Sequence, residues 1–180
     1  MTSDSIQLLA GQAEKAFRAG KFAQAAKLYE QAAQSSANNA DASRTAEIRN
    51  NWSVALLQSG DAAGALEAAQ GTDLVFKQAG DIRRQALALG NQAAAHEALG
   101  QIDEALAYYR ECSEYLKKVG DTEYRAIVLK SISALQMRTG HHLEALATMD
   151  AALTDQPKPS VKERFLKKLI HIPFKMLGRG

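Results

Sequence analysis

Four histidines and one cysteine are the residues of this 180-residue chain best suited to metal binding or nucleophilic chemistry. Their spacing suits neither. His141 and His142 are adjacent, and neighbours on a helix point about 100° apart, which makes them a poor metal pair. His96 stands beside Glu97 with no second ligand near it in sequence, and His171 lies in a basic C-terminal stretch. Cys112 has no second cysteine to pair with, which excludes an internal disulfide and a cysteine-based metal cluster. No glycine-rich phosphate loop, HExxH, GxSxG or paired-carboxylate arrangement occurs. The expectation is a chain with no catalytic residue, no metal and no cofactor, whose work is binding.

Composition sets the kind of scaffold that would do such binding. Apolar residues at 46% and charged residues at 23% place the chain among globular proteins. Aromatics are only 6%, so the interior must be built mostly from Ala and Leu. A formal net charge of +2 gives no bulk attraction for nucleic acid. The first residues, MTSDSIQLLAGQAEK, are acidic and polar where a secretory signal would be basic and then apolar. No apolar run approaches the roughly 18 residues of a membrane-spanning helix. A soluble, cytoplasmic protein is expected.

The elements that would position a binding surface follow from a forty-residue period. Gly20, Gly60, Gly100 and Gly140 recur in register, each followed five residues later by Ala25, Ala65, Ala105 or Ala145. Seven residues before each glycine stands Ala13, Ser53, Ala93 or Ser133, and Asp41, Asp81 and Asp121 open the later units. Each unit splits at its glycine into two segments of about nineteen residues that read as helices, such as Asp81 to Leu99 and Gln101 to Lys118. The aspartates suit N-caps, and the glycines suit left-handed helix ends. Hinges this short predict antiparallel pairs.

Small residues at 53, 93 and 133 can face those at 65, 105 and 145, letting each pair close tightly. Phe17, Leu57 and Met137 on first helices, and Tyr29, Tyr109 and Met149 on second ones, would fill the gaps. Cys112 falls in a small-residue column with Ala32, Thr72 and Ala152, so a buried packing role is expected. One such unit cannot bury its apolar faces alone, so stacked units sharing a continuous core are predicted. The fold class expected is all-α, an α-solenoid of four helical hairpins at 1–40, 41–80, 81–120 and 121–156, followed by a basic amphipathic segment at 157–180.

The spacing small-x6-Gly-x4-Ala-x3-Tyr, as in Ala13–Gly20–Ala25–Tyr29 and Ala93–Gly100–Ala105–Tyr109, resembles the tetratricopeptide repeat (TPR). Pro157 stands where that motif closes with proline. The forty-residue length is similar to the long-helix variety of kinesin light chains. Gly11 in place of the later Asn51 and Asn91, and Ala69 in place of an aromatic, depart from the pattern.

The resemblance implies that first helices line a concave groove. Carried over by column, the groove would present Gln7, Ala10, Gly11 and Glu14, then Glu47, Asn50, Asn51, Val54 and Gln58. The third repeat would add Leu87, Gly90, Asn91, Ala94 and Ala98, and the fourth Lys130, Ser131, Ala134 and Arg138. An asparagine offers both a donor and an acceptor, so a repeated Asn can pair with the backbone of an extended peptide. The same Asn can equally bond a neighbouring helix. A basic clamp for a C-terminal carboxylate would need cations where Ala10, Leu87 and Asn91 stand, and lacks them. Gly90 inside a helix costs about 1 kcal/mol relative to Ala, which close approach of a partner helix or tight internal packing would each explain. The function expected is a non-catalytic scaffold or adaptor that binds a peptide or helix of a partner protein.

Residues 157–180 hold seven Lys or Arg against Glu163 alone. Ser160 can cap a helix with Val161, Phe165, Leu169 and Ile172 at i, i+4, i+8 and i+11, with Lys162, Lys167 and Lys168 on other sides and Pro173 ending it. Phe174 and Lys175 continue the apolar and basic pattern. Three roles are open to this segment: covering the apolar flank of the last repeat, binding an anionic membrane surface or acidic partner, or entering the groove of a second copy as a homo-oligomer. Nucleic acid fits poorly, since no aromatic stacking platform accompanies the cations.

Overall fold

The computed structural model describes residues 3–36, 41–155 and 160–177, and their regular structure is helical. In chain order the helices are α1 Ser3–Arg18, α2 Phe22–Ser36, α3 Ala42–Gln58, α4 Ala62–Ala69, α5 Thr72–Gln78, α6 Ile82–Ala98, α7 Ile102–Val119, α8 Thr122–Arg138, α9 His142–Asp155 and α10 Val161–Leu177. They group into two units, residues 1–108 and 109–180, with the boundary inside α7.

Local chemistry places the helix borders where the sequence predicts them. Asp41, Asp81 and Asp121 each precede a helix and accept the backbone N–H three residues on, from Arg44 at 2.9 Å, Arg84 at 2.8 Å and Tyr124 at 3.2 Å. Each carboxylate thereby satisfies one of the donors a helix start leaves orphaned. At the other end Gly100 adopts φ +75°, and Gln101 N–H returns to the His96 carbonyl at 2.9 Å. A Cβ is disfavoured in that left-handed conformation, which is why glycine recurs there at forty-residue intervals.

In the first unit Ile6, Ala13, Ala25, Ala32, Tyr29, Ile48 and Ala55 form a core, with Phe17, Leu28, Trp52 and Leu56 packed around it. Phe17 meets Phe22 edge to face at 5.2 Å between ring centroids across the first hinge. Ser53, Ala65, Ala93 and Ala105 are all buried, as their columns require. In the second unit Ser133 and Ala145 are buried, and the Ser133 hydroxyl donates to the Ala145 carbonyl at 2.7 Å. Cys112 is buried there. The Arg125–Asp155 ion pair ties the start of α8 to the end of α9. Met137, expected in the interior, is about half exposed.

One predicted helix is two. The second segment of the second repeat breaks after Ala69: Gln70 is extended, and Gly71 takes φ +77° before α5 begins. The break exposes the last carbonyls of α4, and neighbours supply their donors. Arg49 Nη2 donates to the Glu67 and Gln70 carbonyls at 3.0 and 3.1 Å. The Thr72 hydroxyl donates to the Ala69 carbonyl at 2.6 Å and lies 2.9 Å from Asn50 Oδ1. The bend turns Phe76 inward against Ala46 and Ala88, where it is 1% exposed. Burying such a ring contributes about 1.5–3 kcal/mol. The aromatic missing at Ala69 is thus replaced by one seven residues later.

The C-terminal helix is likewise not as expected. Ser160 and Glu163 form a reciprocal cap: Ser160 N–H donates to Glu163 Oε2 at 2.8 Å, and Glu163 N–H to Ser160 Oγ at 3.3 Å. The helix does not stop before Pro173 but runs to Leu177. Proline removes one N–H from the ladder and crowds the carbonyl four residues earlier, a local penalty that does not prevent the following residues from staying helical. α10 packs on α9, and its Ile170 is buried while Val161, Phe165 and Leu169 are exposed.

Candidate interaction faces

The first helices of the first unit carry one face made of the predicted columns. On α3, Glu47, Asn51, Val54 and Gln58 share a side; on α6, Leu87, Asn91, Ala94 and Ala98 share the corresponding side. α6 lies alongside α3, and Arg84 bridges them, with Nη1 3.5 Å from Glu47 Oε2 and Nε 2.6 Å from Asp81 Oδ2. The Arg84 guanidinium also stands 5.3 Å over the Phe76 ring. The backbone N–H and side chain of Arg84 hold the Asp81 carboxyl below its ordinary range, and Asp81 in turn raises the Arg84 pKa. This bridge borders the face at the start of α6.

Adjacent asparagines part company here. Asn51 is exposed, and Asn91 occupies the same column on α6, half-buried; among the described residues neither side chain makes a hydrogen bond. Asn50, assigned to the groove by sequence, is instead buried at 7% exposure beside Thr72. It belongs to the junction between α4 and α5. Gly90 and Leu87 are half-buried beside Asn91.

On α8 of the second unit, Ser131 is half-buried and Arg138 exposed on one side of the helix. Lys130 on the same helix has its Nζ 2.8 Å from Glu163 Oε1 on α10, so its charge is engaged within the unit. Sequence reasoning missed two residues of that side. Tyr124 and Ile127, 45% and 55% exposed, precede Ser131 by seven and four residues and so share its face. The signal was present, since Ile127 stands in the column of Leu87, forty residues on.

The outward side of α10 carries Val161, Phe165 and Leu169, exposed at 81%, 63% and 44%, with Lys162 and Arg164 also exposed. Its inward side carries Ile170, Glu163 and Lys167, the last donating to Thr154 Oγ1 at 2.8 Å. The side chains of Lys168, Phe174 and Lys175, also assigned to the tail surface by sequence, lie outside the described residues. Lys130 and the Ser160 cap hold the Glu163 carboxyl down at about 2.

His96 and His141 each have a partner close in sequence. His96 Nδ1 donates to Gln101 Oε1 at 2.6 Å, and its ring stacks on Tyr108 at 5.2 Å. His141 Nδ1 lies 3.0 Å from the Thr139 hydroxyl. Among the described residues no three His, Cys, Asp or Glu side chains gather into a metal site, and no helix is long and apolar enough to cross a membrane.

No family model matches the chain, and no curated protein matches it by sequence. Solved structures do. Nearly identical TPR-like repeats assigned to a kinesin light chain of Podosopora anserina superpose with a TM-score of 0.74 at 14% identity, covering 96% of this chain and 87% of that one. BtubC (BKLC) of P. vanneervenii gives 0.72 at 16% identity, over 96% of this chain and 73% of that one. The Rap conjugation gene regulator of the plasmid pLS20, in complex with the Phr* peptide, gives 0.66 at 12% identity. There the match spans 97% of this chain and only 55% of the regulator. The chain therefore has the all-α fold of TPR-like helical-repeat solenoids.

Proposed function

We propose that this chain is a non-catalytic, cytoplasmic interaction scaffold whose first-helix face binds a peptide or helix of a partner protein. The observation that carries the reading is the repetition of Asn51 and Asn91 on neighbouring helices, with no internal hydrogen bond among the described residues and Val54, Leu87 and Ala94 beside them. An asparagine pair of this kind holds backbone amides, and the apolar neighbours bury side chains. A peptide-bound regulator of the same fold supports this use of the face by analogy of fold. On α8, Tyr124, Ile127, Ser131 and Arg138 offer a second stretch of the same character. The four-hairpin division at 1–156 stays part of this reading.

The test is selection of binding peptides from a displayed random library on the full chain, followed by fluorescence anisotropy with the selected sequences. Asn51→Ala with Asn91→Ala should weaken the peptides at least about tenfold, the worth of one or two hydrogen bonds to buried polar groups. Peptides that bind both forms equally would show that this face is not the site.

A second reading concerns the tail. The exposed Val161, Phe165 and Leu169 make α10 a docking helix as well as a cover for α9.

A further inference from the structure

We infer that the docking partner of α10 is an anionic membrane surface, on which the helix lies with Val161, Phe165 and Leu169 down. The inference rests on the reading of α10 as a docking helix and adds its occupant. Three observations select it. First, the three exposed apolar residues fall at i, i+4 and i+8, a stripe along one side of the helix, flanked by exposed Lys162 and Arg164. That layout suits the boundary between headgroups and acyl chains, where apolar side chains sink and cations remain among phosphates.

Second, the one acid of the helix is turned away. Glu163 points to α8 and is paired with Lys130 at 2.8 Å, so among the described residues the outward side presents apolar and cationic groups. On an ordinary solvated helix face, acids and cations are interspersed. Here the sorting of charge matches an anionic sheet, which attracts each nearby Lys or Arg about fivefold in partitioning.

Third, among the described residues the patch is small. Val161, Phe165, Leu166 and Leu169 together expose on the order of 400 Å2, about half of the roughly 800 Å2 per partner that a stable protein complex buries. A lipid surface needs less shaped area, because cations add to the apolar contribution. The face is already built while Ile170 and Glu163 hold the helix on its unit, so binding requires no detachment of α10.

The experiment is sedimentation of the full chain with vesicles of phosphatidylserine and phosphatidylcholine, against phosphatidylcholine alone, with mass by light scattering in parallel. Binding to the mixed vesicles only is expected. Phe165→Ser with Leu169→Ser should lower it at least about tenfold, as should Lys162→Glu with Arg164→Glu, each with an unchanged melting temperature. Failure of the wild type to sediment with mixed vesicles, or equal binding to both vesicle types, overturns the lipid assignment. If the wild type is then a dimer whose mass halves in the Phe165→Ser, Leu169→Ser variant, the docking helix stands and a second copy is its occupant. If neither vesicles nor mass responds, the docking reading falls as well.

Discussion

Across the fourth hairpin the Ser133 hydroxyl reaches the Ala145 carbonyl at 2.7 Å, joining α8 to α9 where both residues are buried. The equivalent pair one repeat earlier, Ala93 and Ala105, is buried with no hydroxyl at all. Small volume is therefore the common requirement of the crossing, and the hydrogen bond is an addition. Ser133→Ala should cost about 1 kcal/mol, whereas Ala145→Leu should cost about 1–3 kcal/mol by forcing the helices apart. Denaturant unfolding of the two variants measures the order.

Asn50 and Asn51 are neighbours with opposite duties. Asn50→Ala leaves the buried Thr72 hydroxyl without one of its partners and should cost about 1–3 kcal/mol. Asn51→Ala, at an exposed position, should stay within about 0.5 kcal/mol of wild type. Thermal melts of both single variants separate the two roles; equal losses would place Asn51 in the structure rather than the site.

Gly71 sets the bend that brings Phe76 into the core. Its φ is +77°, and a Cβ there would meet no atom within 4 Å. The cost of Gly71→Ala is then backbone strain alone, about 1–2 kcal/mol. Phe76→Ala removes the ring the bend delivers and should cost about 3–5 kcal/mol. Chemical denaturation that found the glycine change larger than the phenylalanine change would contradict this division.

Glu163 gives the second unit a dependence on acid. Its carboxyl is held at about 2, chiefly by the hydrogen bond from Lys130 and then by the Ser160 cap, against an ordinary value of 4.5. A lowered folded value means the contribution is complete above about 4.5, declines as pH falls, and is gone below about 2. Glu163→Gln keeps a capping side chain without the charge. The difference in melting temperature between wild type and this variant should be constant near neutral pH and vanish as the pH approaches 2. A difference that persisted below that point would assign the effect to shape rather than charge.

Helix borders, period and small contact columns were legible in the residues themselves, because each depends on chemistry within a few positions. An aspartate caps the third residue after it, and a glycine turns left where its own φ demands. A residue with a small side chain likewise lets a neighbouring helix approach, as at Ala93. Which of two adjacent asparagines faces inward was not legible, since they differ by about 100° on one helix and only Thr72, brought back by the bend at Gly71, distinguishes them. The same holds for Lys130, whose charge is engaged by an acid thirty-three residues away. It holds also for α10, where the sequence offered one apolar stripe and the packing chose the neighbouring Ile170. Choices of this kind are made by contacts between distant segments, and burial, not local propensity, settles them.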